Sequence, residues 1–243
     1  MAVDEALLIH CALGPTLRLY TWERPSISLG YRQKPGDWLE RAQALDIECV
    51  RRVTGGGTVL HGLDLTYAVA APRGLPGVPD DMRGSYTWVR ECLLQGLRAA
   101  GMCAAPSPPA PRRAARAELC FSASTGLEID GAEAKLVGSA QRRTRSGFLQ
   151  HGSIRYQDDS ALARRVFGES PAGRPGPAPA ARVLQDALIG AFDAAVPGGL
   201  RLGALRDSER LLAQQRAHAR RASPLSLPAL TLRTARALAD TPA

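Results

Sequence analysis

The stretch RRVTGGGTVLHGLDLTYAV, residues 51–69, decides how this chain is read. Two arginines run into three consecutive glycines, and a His-x-x-Asp follows before an apolar, β-prone segment closes the run. Gly55, Gly56 and Gly57 stand between what read as two strands. Glycine weakens a strand, because it gives up the most conformational freedom on folding and has no side chain to pack. Something must need the bare main chain here, although a glycine triplet taken alone reads first as a turn.

Outward from this run the elements alternate. DEALLIHCAL (4–13) has helical spacing, TLRLYTW (16–22) and SISLGY (26–31) read as strands around Glu23, Arg24 and Pro25, and DWLERAQALD (37–46) is an amphipathic helix. IECVRRV (47–53) is a strand before the glycines, and TVLHGLDLTYAVAAP (58–72) is strand after them. SYTWVRECLLQGLRAAG (85–101) places Trp88, Cys92, Leu93 and Leu97 on one helical face, opens on a Ser/Thr cap and closes at Gly101. The pattern indicates an α/β or α+β fold, a mixed β-sheet flanked by helices. Two segments break it. AAPSPPAPRRAARA (104–117) and SPAGRPGPAPAA (170–181) are too rich in Pro and Ala for core and read as mobile surface connections. Helical stretches at 182–196 and 205–221 and a Pro/Leu-containing tail follow.

Composition narrows the function classes. The 243 residues, 45% hydrophobic, suffice for one large core. A net charge of +8 usually suggests nucleic acid, but only Lys34 and Lys135 are lysines, and the arginines are dispersed except at Arg112, Arg113 and Arg116. Few aromatics are present to stack bases, so no nucleic acid is expected; an acidic protein partner fits the charge. The cysteines at 11, 49, 92, 103 and 120 are odd in number with no C-x-x-C, which argues against a disulfide framework or a structural metal site. The acidic N-terminal stretch and the lack of a membrane-length apolar run lead to the expectation of a cytoplasmic protein with no membrane partner. His10 and His218 read as structural or surface residues.

The densest chemistry lies in ELCFSASTGLEIDGAEAKLVGSAQRRTRSGFLQHGSI, 118–154. AKLVGSAQRRT, a turn at RSG and FLQHGSIRY form a β-hairpin signal. Strand alternation puts Lys135, Val137, Ser139 and Gln141 on one face, which lines a cleft or is merely solvated.

RRVTGGGTVLHGLDLTY, followed some distance later by AKLVGSAQRR and LQHGSI, resembles the catalytic domain shared by lipoate-protein ligases, biotin protein ligases and lipoyl/octanoyl transferases. The resemblance covers residues 1–168, leaving 169–181 as linker, 182–221 as a helical extension and 222–243 as tail. Within that superfamily CFSASTGLEIDGAEAKLVGSAQRR is most similar to the cysteine-dependent octanoyltransferases, which carry a Cys-Phe ahead of the lysine. The glycines would then let the main chain approach an acyl chain and offer N–H donors to a carbonyl or phosphate oxygen.

The resemblance implies Cys120 as nucleophile and Lys135 as the ammonium that favours its thiolate, with a pocket formed by Arg52, Gly55, Gly56, Gly57, His61, Gly138, Ser139, Ala140, His151 and Gly152. Asp64 and Tyr67 read equally as holding the turn and packing the sheet. The implied reaction moves an octanoyl or lipoyl group from an acyl carrier protein to a lysine of a lipoyl domain or glycine cleavage H protein. It requires no cofactor and suits a monomer. An ATP-dependent lipoate-protein ligase, needing ATP and Mg but not Cys120, is the alternative; a non-catalytic acyl- or lipoyl-domain-binding protein is the second. The family's first strand has no counterpart before the MAVDEALL helix, so the sheet is expected to lack an edge strand or the start to be assigned too late.

Overall fold

The computed structural model describes residues 1–108, 121, 126–170, 173, 175–219 and 230–234. Cys120 lies outside the described residues, as do positions 109–117 of the first connection and Pro171, Ala172 and Arg174 of the second.

The backbone of the fold is an antiparallel set, β1 (Thr16–Tyr20), β5 (Asp64–Pro72), β9 (Gly147–Arg155) and β8 (Lys135–Arg143). Short strands β7 (Ile129–Asp130) and β6 (Ala105–Pro106) extend it beyond β8. On the other side β11 (Leu230–Thr234) pairs with β1, and β10 (Leu200–Gly203) pairs with β11. A second sheet holds β2 (Ser26–Leu29) between β3 (Glu48–Arg51), parallel to it, and β4 (Val59–His61), antiparallel to it. The helices are α1 (Ala2–Ile9), α2 (Trp38–Ala44), α3 (Met82–Ala99), α4 (Ser160–Phe167), α5 (Ala181–Ala195) and α6 (Asp207–Ala219).

Strand alternation gives the large sheet an apolar and a polar face. Leu17, Leu19, Leu65, Val69, Val137, Phe148 and Ile154 share a buried core with Val89, Cys92, Leu93 and Leu97 of α3 and Leu184, Leu188 and Phe192 of α5. The helix expected from 182 thus packs in the same core as the preceding elements, and Leu230–Thr234, within the expected tail, is a strand. On the opposite face Arg18, Tyr20, Asp64, Thr66, His151 and Ser153 alternate in register. Polar side chains on that face require partners, and α1 and the second sheet supply them.

Three local expectations change. The segment 58–72 is two strands in different sheets: it turns a corner at Gly62–Leu63 between β4 and β5. Helix α3 begins a turn earlier than Ser85, because the Asp81 carboxylate caps it by accepting from the Gly84 N–H at 2.8 Å. The face of Lys135, Val137, Ser139 and Gln141 does not line a cleft along its length. Val137 is fully buried in the core, and Gln141 Nε2 donates to Ser85 Oγ of α3 at 3.2 Å.

Candidate active site

Between the polar face of the large sheet and the second sheet lies a cleft. Its rim is the glycine loop, and Arg52 determines how that loop sits. The buried guanidinium donates through Nη2 to the carbonyls of Gly55 (3.1 Å) and Gly57 (2.7 Å), and through Nη1 to the Ser28 carbonyl and hydroxyl, both at 2.7 Å. The Gly56 carbonyl is packed against the α-carbon of Gly30, where any Cβ would collide with it. With those carbonyls committed inward, the loop's amide hydrogens are what it has to offer a ligand.

Two hydroxyl–imidazole–carboxylate chains line the same cleft. Ser28 Oγ lies 2.7 Å from His61 Nε2, and His61 Nδ1 lies 2.8 Å from Asp64 Oδ2. Ser28 already accepts from Arg52, so its own hydrogen goes to Nε2, which leaves Nδ1–H to donate to Asp64. The Trp22 ring stacks on the His61 imidazole at 4.2 Å. In the second chain Thr54 Oγ1 lies 2.6 Å from His151 Nε2, and His151 Nδ1 lies 3.1 Å from Asp4 Oδ2. Burial would raise both carboxylates, but each is held below its usual range. For Asp64 the causes are His61, Ser153 and the Gly62 N–H; for Asp4 they are the chain's amino group, Arg18 and His151. Burial, with help from Arg52, keeps His151 below the ordinary histidine value, so this imidazole is neutral at pH 7. These chains fix the cleft wall, each ending on an ionised carboxylate.

The remaining wall is main chain. Gly138, Ser139, Ala140 and Gly152 face the cleft, and Gly152 is pressed so closely on the Gly138 carbonyl that a side chain would not fit. Ser139 is steadied from behind, its hydroxyl accepting from Tyr67 at 2.6 Å and its carbonyl from Tyr86 at 2.9 Å. A wall of backbone and small side chains suits an apolar, flexible ligand.

Gly56 carries φ +94°, a conformation L side chains rarely adopt, and its α-carbon faces the cleft. Gly56→Val therefore combines a strain of about 1–3 kcal/mol with lost ligand space. Acyl transfer is expected to fall at least ~10-fold while the circular dichroism spectrum stays native. A well-folded variant with unchanged activity would mean that the glycines serve only the turn.

The sequence-derived site residues separate into three groups. Arg52, Gly56, His61, Gly138, Ser139, Ala140, His151 and Gly152 all line the cleft, while Gly55 and Gly57 lie behind the rim on Arg52. Lys135 is not part of that lining. Its largely buried ammonium is 3.1 Å from Glu128 Oε1 and 5.8 Å from the ring centre of Phe121, the residue after Cys120. Asp64 and Tyr67 do hold the turn and the sheet, as their hydrogen bonds show. Ser28, Thr66 and Ser153 belong to the site as well, and Glu128 to the lysine. Thr66, Glu128 and Ser153 stand inside the motif stretches without being singled out there, and the alternation of SISL is the only trace of Ser28 in the sequence.

Residues 1–181 match the family model for the lipoyl protein ligase A/B catalytic domain. The chain belongs to that family. Among curated relatives it is 36% identical over 247 residues to octanoyltransferase LipM of Kyrpidia tusciae, covering 88% of this chain and 89% of the relative. It is 43% identical over 165 residues to LipM of Moorella thermoacetica, covering 63% and 59%. Among solved structures, the putative lipoate protein ligase Ta0514 of T. acidophilum superposes with a TM-score of 0.75 at 23% identity, covering 90% and 88% of the two chains. The bipartite lipoate protein ligase of T. acidophilum, studied with its E2 lipoyl domain, gives 0.66 at 20% identity over 88% and 84%. These likenesses establish the lipoate-ligase fold for the mixed sheet and its flanking helices. No helix among the described residues is long and apolar enough to cross a membrane.

Proposed function

We infer that the chain is an octanoyltransferase in protein lipoylation. We propose that Cys120 carries the acyl group from a carrier-protein thioester to a lysine of a lipoyl domain or glycine cleavage H protein. The Cys120 thiolate adds to the thioester carbonyl, the carbon–sulfur bond to the carrier breaks, and the departing thiolate takes up a proton. The acceptor amine then adds to the new thioester, the bond to Cys120 breaks, and the nitrogen loses a proton as the amide forms. Thioester exchange is close to balanced and amide formation runs downhill, so no nucleotide or metal is required.

In this scheme the cleft of Arg52, Gly56, His61, Gly138–Ala140, His151 and Gly152 holds the octanoyl chain. Lys135 favours the thiolate and then the oxyanion, with Glu128 anchoring its ammonium and offsetting part of its field. The observation that carries the reading is Phe121. Its ring lies beside the Lys135 ammonium, so Phe121 and the lysine, fourteen residues apart by sequence number, approach in space. The octanoyltransferase relatives support the acyl group, and the ligase studied with its lipoyl domain supports the acceptor.

The test is to mix the protein with octanoyl-carrier protein and an apo lipoyl domain and to weigh both proteins by intact mass spectrometry. Octanoylated lipoyl domain is expected without nucleotide. Product only from free octanoate with ATP and Mg would replace this reading by the ATP-dependent ligase.

A further inference from the structure

A second cavity adjoins the acyl cleft, and His61 is common to both linings. Pro25, Leu60, Leu63 and Leu162 give it apolar walls, and Arg155, the last residue of β9, is the arginine among the described residues lining it. The Arg155 guanidinium is only 2% exposed. Its Nη2 donates to Asp159 Oδ1 at 2.8 Å, but Nε and Nη1 have no hydrogen-bond partner among the described residues. Buried donors on a charged group are costly to leave unmet, so this site is built for something that brings acceptor oxygens.

The charges decide which oxygens. Asp159 already neutralises Arg155, and Asp64 adds a second carboxylate to the same lining. A free phosphate or carboxylate would meet more negative than positive charge there, whereas an amide carbonyl accepts a hydrogen bond without bringing a charge. The leucines and proline suit the methyl and methylene groups between such amides. Position points the same way: the Phe121 ring lies 5.3 Å from the Arg155 guanidinium and 5.8 Å from the Lys135 ammonium. The Arg155 guanidinium and the Lys135 ammonium thus approach the same ring.

We propose that this cavity seats the amide-bearing thiol arm of the acyl donor, a pantetheine-type chain, with its carbonyl oxygens on the unused N–H groups of Arg155. The proposal rests on the thioester-transfer reading above. Octanoyl-pantetheine carries the amides and lacks phosphate, octanoyl-coenzyme A carries both, and S-octanoyl-2-mercaptoethanol carries neither.

The readout is the ratio of kcat/KM for formation of the octanoyl-enzyme from octanoyl-pantetheine and from the mercaptoethanol thioester. In the wild-type protein this ratio is expected to exceed about 10, on the scale of hydrogen bonds to a charged donor. Arg155→Leu should bring it close to unity. Leu63→Trp, at a position 40% exposed on the cavity lining, should do the same by filling the space while leaving Arg155 in place. If Arg155→Leu fails to fold, Leu63→Trp decides alone. A ratio unchanged in the folded variants, or near unity in the wild type, overturns the proposal. So does a preference that appears only with octanoyl-coenzyme A, which would make Arg155 a phosphate reader. Failure of every thioester to acylate the wild-type protein sinks the transferase reading, and this inference with it.

Discussion

Cys120→Ala is expected to eliminate octanoyl transfer, with a loss of at least ~1000-fold, the scale of removing a covalent nucleophile. Cys11, Cys49 and Cys92 are poor substitutes. Burial pushes the Cys92 thiol up to about 12 and raises Cys11 and Cys49 as well, so none of these offers thiolate at neutral pH. Intact mass of the variant after mixing with octanoyl thioester should show no added acyl group, and the lipoyl domain should stay unmodified. An octanoyl adduct that persists in Cys120→Ala, on any residue, would remove Cys120 as the nucleophile.

Lys135→Arg should fail differently. Arginine keeps the positive charge and can still meet Glu128, which now lies 3.1 Å from the lysine ammonium. The guanidinium is broad and planar where the ammonium is compact, and it does not release its proton near neutral pH. Thiolate formation should survive while carbonyl positioning and proton transfer do not. Turnover is expected to fall at least ~100-fold, with Cys120 still alkylated by iodoacetamide. Equal loss of alkylation and turnover would instead make Lys135 a thiolate-forming group alone.

Part of the fold was legible where its strands are long. The β8–β9 hairpin spans nine residues on each side, and its turn is marked by Arg145-Ser146-Gly147. The cleft wall was less legible, for a physical reason. Alternation of side chains left the Lys135–Gln141 face as either cleft lining or solvated surface, but at Gly138 and Gly152 the wall is backbone, which has no hydropathy to read. The corner at Gly62–Leu63 was hidden inside a continuous β-prone run, since leaving one sheet for another changes no local preference. Strand β11 was missed because a short strand depends on distant partners, here β1 and β10, more than on its own composition. The relays through Ser28–His61–Asp64 and Thr54–His151–Asp4 join separate elements; Thr54, His61, Asp64 and His151 stood in recognisable motifs, whereas Ser28 and Asp4 did not. Chemistry carried by motif was readable; chemistry carried by packing was not.

The central claim is that the acyl group rests on Cys120 on its way to the acceptor lysine. The most direct measurement mixes wild-type protein with octanoyl-carrier protein, omitting nucleotide and acceptor. The reaction is quenched in acid to preserve thioesters, and the acylated peptide is then mapped by proteolysis and mass spectrometry. A single octanoyl group, labile to hydroxylamine and located on Cys120, is the predicted result. An unmodified enzyme under conditions in which added acceptor does become octanoylated, or an acyl group on any other residue, would contradict it.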